Sequence, residues 1–158
     1  MQQPLADLLR PEKLADFAGQ QHLLAPGQIL YQTIFSGECA TRKAHSMVFW
    51  GNPGSGKTTL ARLIGKALDA DFFQLSAVHA GIKEIHKLAQ QAQSASGNQP
   101  CVLFLDEMHR FSKSQQDVLL PYLEQGVLTL IGATTENPSF SLNHALLSRL
   151  RVYRLQPL

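Results

Sequence analysis

Cysteine is scarce. The 158 residues hold two, Cys39 and Cys101, which form no CxxC pair and no Cys/His cluster. A disulfide scaffold and a cysteine-ligated zinc site are thereby excluded, and a reducing compartment is expected. Long apolar runs are absent too: no stretch approaches the ~20 apolar residues of a membrane-spanning helix. Met1-Gln2-Gln3-Pro4 opens no basic segment followed by an apolar core, so no secretory signal is expected and the chain reads as cytoplasmic, with no membrane partner. No basic run exceeds Arg42-Lys43 and the formal net charge is only +2, too little to argue for nucleic acid by charge alone. The six histidines, His22, His45, His79, His86, His109 and His144, lack the spacing of a zinc site. They read as surface or hydrogen-bonded side chains. His109, two positions after Glu107, is also placed to couple a nucleotide site to DNA or to a neighbouring subunit. There is no internal repeat, and only Gln90 to Gln99 is compositionally biased.

What remains is 44% hydrophobic, enough for one domain that buries roughly 70% of its unfolded surface without a staple. Short apolar runs alternate with helical periodicity. Strands are expected at 46–50, 72–75, 101–105, 128–133 and 152–155. Cys101 to Leu105 is apolar throughout, as a strand buried on both faces is. Helices are expected from Lys57 to Leu68, with a stripe of Leu60, Leu63, Ile64 and Leu68, and from Ile82 to Ala95, with Ile82, Ile85, Leu88, Ala89 and Ala92 on one face. A third starts from a Ser112 cap toward Glu124, where Pro121 predicts a kink or an early end, and a short fourth runs from Leu142 to Ser148. Alternation of this kind implies a parallel sheet with helices on both faces.

Gly51-Asn52-Pro53-Gly54-Ser55-Gly56-Lys57-Thr58 matches GxxxxGK[ST] in full, between an expected strand and an expected helix. A polyphosphate needs many donors at close range with no side chains in the way. Glycines let successive N–H groups point inward, and the helix start through Thr59 adds its partial positive charge. In this pattern Lys57 reaches the β- and γ-phosphates of ATP and the Thr58 hydroxyl takes a Mg²⁺ position. Downstream, an apolar strand ends in Asp106-Glu107, at the sheet edge where parallel sheets bind ligands. Asp106 is suited to hold Mg²⁺ through water, and Glu107 to orient and deprotonate the attacking water. Thr135 follows a further strand. It either bonds the γ-phosphate or the attacking water, or merely caps the strand end. Arg149 and Arg151 offer forked guanidinium groups just before the last strand, for phosphate chemistry or for a helix C-terminus.

In their order and strand contexts, the glycine loop, Asp106-Glu107, Thr135 and Ser148-Arg149 resemble the AAA+ ATPases, where they correspond to Walker A, Walker B, sensor 1 and the arginine finger. The resemblance implies an α/β P-loop NTPase fold of AAA+ type, with a five-stranded parallel sheet and with the helical lid beyond this chain. Leu9-Arg10-Pro11-Glu12 through Gly19-Gln20 looks like the N-linker of clamp-loader and Holliday-junction-motor relatives. That implies a linker over 1–27, with Arg10 and Pro11 near the adenine, and a nucleotide-binding core over 28–158. Asp106-Glu107-Met108-His109-Arg110-Phe111, Ser114-Gln115-Gln116-Asp117 and Gly132 to Phe140 more narrowly resemble the family of replication-associated recombination protein A and the Werner-helicase-interacting protein. Asn52 and Ser55 stand where that family often has proline and threonine; neither side chain is expected to matter to a backbone cradle.

This narrower resemblance implies ATP and Mg²⁺ as cofactors and an ATPase that remodels DNA at stalled replication forks. As partners of the complete protein it implies single-stranded or forked DNA, single-stranded-DNA-binding protein and further copies of the chain in a tetramer. A Holliday-junction motor or clamp-loader subunit shares every catalytic motif. A nucleotide-gated assembly protein with little turnover is a reading from another class, against which the intact Glu107 and Arg149 speak.

Overall fold

Strand propensity and burial select five segments, which a computed structural model describing residues 45–94 and 100–156 joins into one sheet. They are β1 (Met47–Trp50), β2 (Asp71–Ser76), β3 (Cys101–Asp106), β4 (Thr129–Thr134) and β5 (Arg151–Arg154). Between them lie α1 (Lys57–Ala67), α2 (Ile82–Ser94), a 3-10 turn (Met108–Arg110), α3 (Lys113–Glu124), α4 (Pro138–Ser141) and α5 (His144–Leu147). All pairings are parallel and the order is β2-β3-β4-β1-β5. The chain therefore leaves β1 for the far edge, returns through β3 and β4, and crosses β1 to reach β5. In sheets with such a reversal ligands bind outside the carboxyl ends of the strands, here those of β1, β3 and β4.

The period-two alternation of each strand divides its side chains between two cores. Met47, Phe49, Val102, Phe104, Ile131 and Ala133 pack against Leu60, Ala61 and Ile64 of α1. Val48, Leu103, Leu105 and Leu130 face the other way, onto Ile85 and Ala89 of α2, Leu119 of α3 and Leu146 of α5. Helices cover both faces, as the alternation of strands and helices requires. β3 is buried from Cys101 to Leu105, and burial together with Asp71 pushes the free Cys101 thiol up to about 11.

Two local expectations change. Pro121 does not end α3 early: the helix runs to Glu124 with Gln125 as its cap. A proline there removes one N–H, the one that would reach the Asp117 carbonyl, and the helix has only one more turn to run. At its other end, Ser112 caps as anticipated and completes a capping box. Its Oγ accepts from the Gln115 N–H at 3.2 Å, and Gln115 Oε1 accepts from the Ser112 N–H at 2.9 Å. The short helix expected over 142–148 is present but runs only from His144 to Leu147, and a further short helix, Pro138–Ser141, precedes it. Asn137 and Asn143 each start one, their side chains accepting from the N–H groups of Ser139 and Leu146. Leu142 between them is extended and buried.

The expected linker over 1–27, with Arg10 and Pro11, lies outside the described residues, as do Cys39 and His22. Among the described residues no helix is long and apolar enough to cross a membrane.

Candidate functional site

Gly51 follows β1 directly, and its N–H is held by the Thr134 carbonyl of β4 at 3.1 Å. The loop then turns through Gly54 at φ 81° and Gly56 at φ 92°. Both angles lie in the left-handed region, where a side chain would be strained. Gly56 thereby delivers the chain into α1, and Leu60 N–H closes the first turn on the Gly56 carbonyl at 2.9 Å. Asn52, Pro53 and Gly54 are exposed while Ser55 is buried. The Lys57 ammonium folds back over this loop, donating to the carbonyls of Gly51 at 2.7 Å and Asn52 at 2.9 Å, and reaching Ser55 Oγ at 3.4 Å. Ser55 is thus more than a spacer in the loop. Its hydroxyl is one of the groups that seat the lysine, a part the sequence alone did not assign to it. Burial lowers the Lys57 pKa and the carboxylate of Asp106 opposes that shift. The ammonium and the carboxylate therefore feel one another.

Asp106 ends β3 with the same parity as Val102 and Phe104, which face α1. It belongs on the phosphate-loop side of the sheet. Its Oδ1 accepts from the Glu107 N–H at 2.9 Å. Glu107 is exposed and adopts φ 53° and ψ 44°, a left-handed conformation uncommon for a residue with a side chain. The chain thereby leaves the strand abruptly and enters the turn Met108–Arg110. Met108 is fully buried there, against Gly132 of β4. A Cβ at position 132 would collide with the Met108 sulfur. The glycine thus makes room for the residue that anchors the acidic turn.

β4 ends beside β1, with Trp50 opposite Thr134. Thr135, one residue beyond the strand, is exposed, while Ile131 and Ala133 face α1. Thr134 is 2% exposed and points the other way. Its hydroxyl bonds His109 Nδ1 at 3.0 Å and the Glu136 N–H at 3.0 Å. The sequence did not single out Thr134. Strict alternation along β4 does signal that Thr134 faces away from the side of Ile131 and Ala133.

Lys57, Thr58, Asp106, Glu107 and Thr135 therefore sit at the carboxyl ends of β1, β3 and β4, which are neighbours in the sheet. Arg149 does not join them. It precedes β5, whose Arg151 pairs with Met47 at the start of β1, so it lies at the opposite, amino edge. The four residues of β5 alone span about 13 Å. There Arg149 meets Glu124 at 3.3 Å, the two side chains being 54% and 43% exposed.

The donor set at the carboxyl edge fits a magnesium nucleotide. An ammonium, a glycine cradle and the start of an eleven-residue helix suit a polyphosphate. A hydroxyl at Thr58 and a carboxylate at Asp106 suit a hard divalent cation.

Comparison with known proteins agrees with this geometry. The family described as "ATPase family associated with various cellular activities (AAA)" matches residues 47–158. The chain is 54% identical over 157 residues to "Replication-associated recombination protein A" of Escherichia coli K12, covering 99% of this chain and 34% of that protein. It is 44% identical over 156 residues to "ATPase WRNIP1" of Dictyostelium discoideum, covering 98% of this chain and 17% of that protein. The chain thus spans about a third or less of these relatives. Among solved structures, the Thermotoga maritima RuvB Holliday junction branch migration motor superposes with a TM-score of 0.67 at 30% identity, over 93% of this chain and 48% of that one.

Proposed function

We infer, because this chain belongs to the AAA family of ATPases, that it is the nucleotide-hydrolysing core of a DNA-remodelling ATPase acting at stalled replication forks. The observation that carries the chemistry is the convergence of Lys57, Thr58, Asp106, Glu107 and Thr135 on three adjacent strand ends. The fork and the DNA rest on the relatives named for replication-associated recombination.

When bound, ATP would supply the phosphoryl group to be transferred, and Mg²⁺ positive charge to offset that of the phosphates. Lys57 then exchanges the carbonyls of Gly51 and Asn52 for phosphate oxygens, while the loop from Gly51 to Thr59 wraps the polyphosphate with backbone N–H groups. Thr58 would hold the Mg²⁺ through its hydroxyl and Asp106 through water. Glu107, exposed on its turn, takes the proton from the attacking water, and Thr135 senses the γ-phosphate or that water. Arg149, at the amino edge, serves the site of a neighbouring copy, where its guanidinium offsets charge built up in the transition state. Arg10 and Pro11 of the 1–27 segment contact the adenine. The complete protein works in the cytoplasm as a tetramer, with single-stranded-DNA-binding protein as a further partner.

ATP turnover by the complete protein, with and without forked or single-stranded DNA, tests this reading. Turnover stimulated by these DNAs is expected. Stimulation by four-way junctions alone would favour a branch-migration motor, and tight nucleotide binding with negligible turnover would favour a gated assembly protein.

A further inference from the structure

Thr134 lies where three segments of the carboxyl edge meet. Its carbonyl accepts from the Gly51 N–H of the phosphate loop. Its hydroxyl accepts from the Glu136 N–H at 3.0 Å, stands 3.2 Å from the Glu136 carbonyl, and lies 3.0 Å from His109 Nδ1. A threonine hydroxyl has one proton to give and two lone pairs. If the proton goes to the Glu136 carbonyl, the lone pairs receive the Glu136 N–H and a proton carried on Nδ1. In that arrangement a neutral His109 carries its proton on Nδ1 and donates it to Thr134.

This contact joins residues 25 positions apart and bears on the one strained element of the site. Glu107 holds a left-handed backbone without being glycine, a conformation that persists only where its surroundings enforce it. Met108, buried against Gly132, pins the turn from beneath. The His109–Thr134 bond pins it from the side, to the residue immediately before Thr135.

We propose that His109 is a positioning residue whose Nδ1–H, anchored on Thr134, fixes the turn that aims Glu107 and makes Glu107 and Thr135 a single rigid unit. The inference rests on the ATP-hydrolysis reading of the site and specifies how its general base is held. A histidine that merely fills space would be indifferent to which nitrogen makes the bond. Asparagine and glutamine separate the two cases, since the Asn amide stands in for Nδ1 and the Gln amide for Nε2.

The experiment is steady-state ATP turnover and fluorescent-nucleotide binding by the complete protein, carrying His109→Ala, His109→Asn, His109→Gln, Thr134→Val or the double change His109→Ala/Thr134→Val. Each of His109→Ala and Thr134→Val should lower kcat on the order of 10- to 100-fold, the scale of a displacement of about 1 Å at a reacting group, with nucleotide affinity unchanged. The double variant should lose no more than the worse single one, since both remove the same bond. His109→Asn should restore most of the rate and His109→Gln should not. Full turnover in His109→Ala, rescue by Gln in place of Asn, or losses that multiply would overturn the proposal. Should the alanine variant fail to bind nucleotide through misfolding, the Asn and Gln pair decides alone. Glu107→Gln, measured alongside, separates the two levels of inference. If it hydrolyses ATP normally, the reading of the site fails; if it is inactive while His109→Ala is unimpaired, only the positioning role falls.

Discussion

At the carboxyl edge of the sheet, charged groups are tied to the backbone and turns around them. Lys57 has three acceptors within 3.4 Å, Asp106 accepts from the next residue's N–H, and Glu107 rides on a turn whose Met108 is fully buried. At the amino edge, Arg149 has an exposed partner at 3.3 Å and ample solvent. The first edge is preorganised, which electrostatic catalysis requires, because groups already in place need no reorganisation as charge develops. The second presents a long cation on an open surface, free to leave its carboxylate at little cost. One copy of the chain thus carries the proposed hydrolytic residues at one edge and Arg149 at the other, so the proposed mechanism calls for a second copy.

The sharpest way to break this contrast is to separate the edges genetically. Arg149→Ala should lower turnover by roughly 10³- to 10⁵-fold, the usual worth of an arginine finger. Glu107→Gln should lower it by about 10²- to 10⁴-fold while keeping nucleotide and Mg²⁺ binding, since the amide retains the shape but cannot accept a proton. Mixing the two inactive proteins should regain activity, because an intact arginine of one copy then faces an intact base of the other. If mixing under conditions of subunit exchange restored nothing, Arg149 would not act across copies. Next in size, Lys57→Ala should abolish tight ATP binding, a loss on the order of 100-fold for one charge-assisted partner, and calorimetric titration reads it directly. Unchanged affinity would remove the lysine from the phosphate site. The smallest effect belongs to Glu124→Gln. Breaking an exposed pair should shift thermal stability by less than about 1 kcal/mol and leave turnover near its starting value. A large loss of either would show that the amino edge is built as tightly as the other.

The comparison also marks what could be read from the residues. All five strands and the three long helices were legible, because alternation and apolar runs are local properties. So was the phosphate loop, whose eight positions are contiguous. The short helix expected over 142–148 was legible apart from its ends, whereas the one-turn helix Pro138–Ser141 before it was missed. Asn137-Pro138 and Asn143 were cap signals, and each starts its own short helix. Pro121 did not end its helix early, since the cost of a proline depends on how much helix remains. Strand order was not legible, because nothing local says that β1 lies between β4 and β5. The part played by Thr134 was equally out of reach, as it needs His109, Gly51 and Glu136 brought to one point.

Trp50 gives the site a built-in optical signal. It is the chain's single tryptophan, half-buried, with the Arg154 guanidinium 4.9 Å from its ring centroid. One peptide bond away is Gly51, whose carbonyl holds Lys57 in the structure described here. Indole emission responds to nearby charge and to solvent, so when Lys57 leaves that carbonyl for a nucleotide, the brightness or colour of the chain's own fluorescence should change. Loading of this domain can then be followed without any attached dye, at an excitation wavelength where only one residue answers.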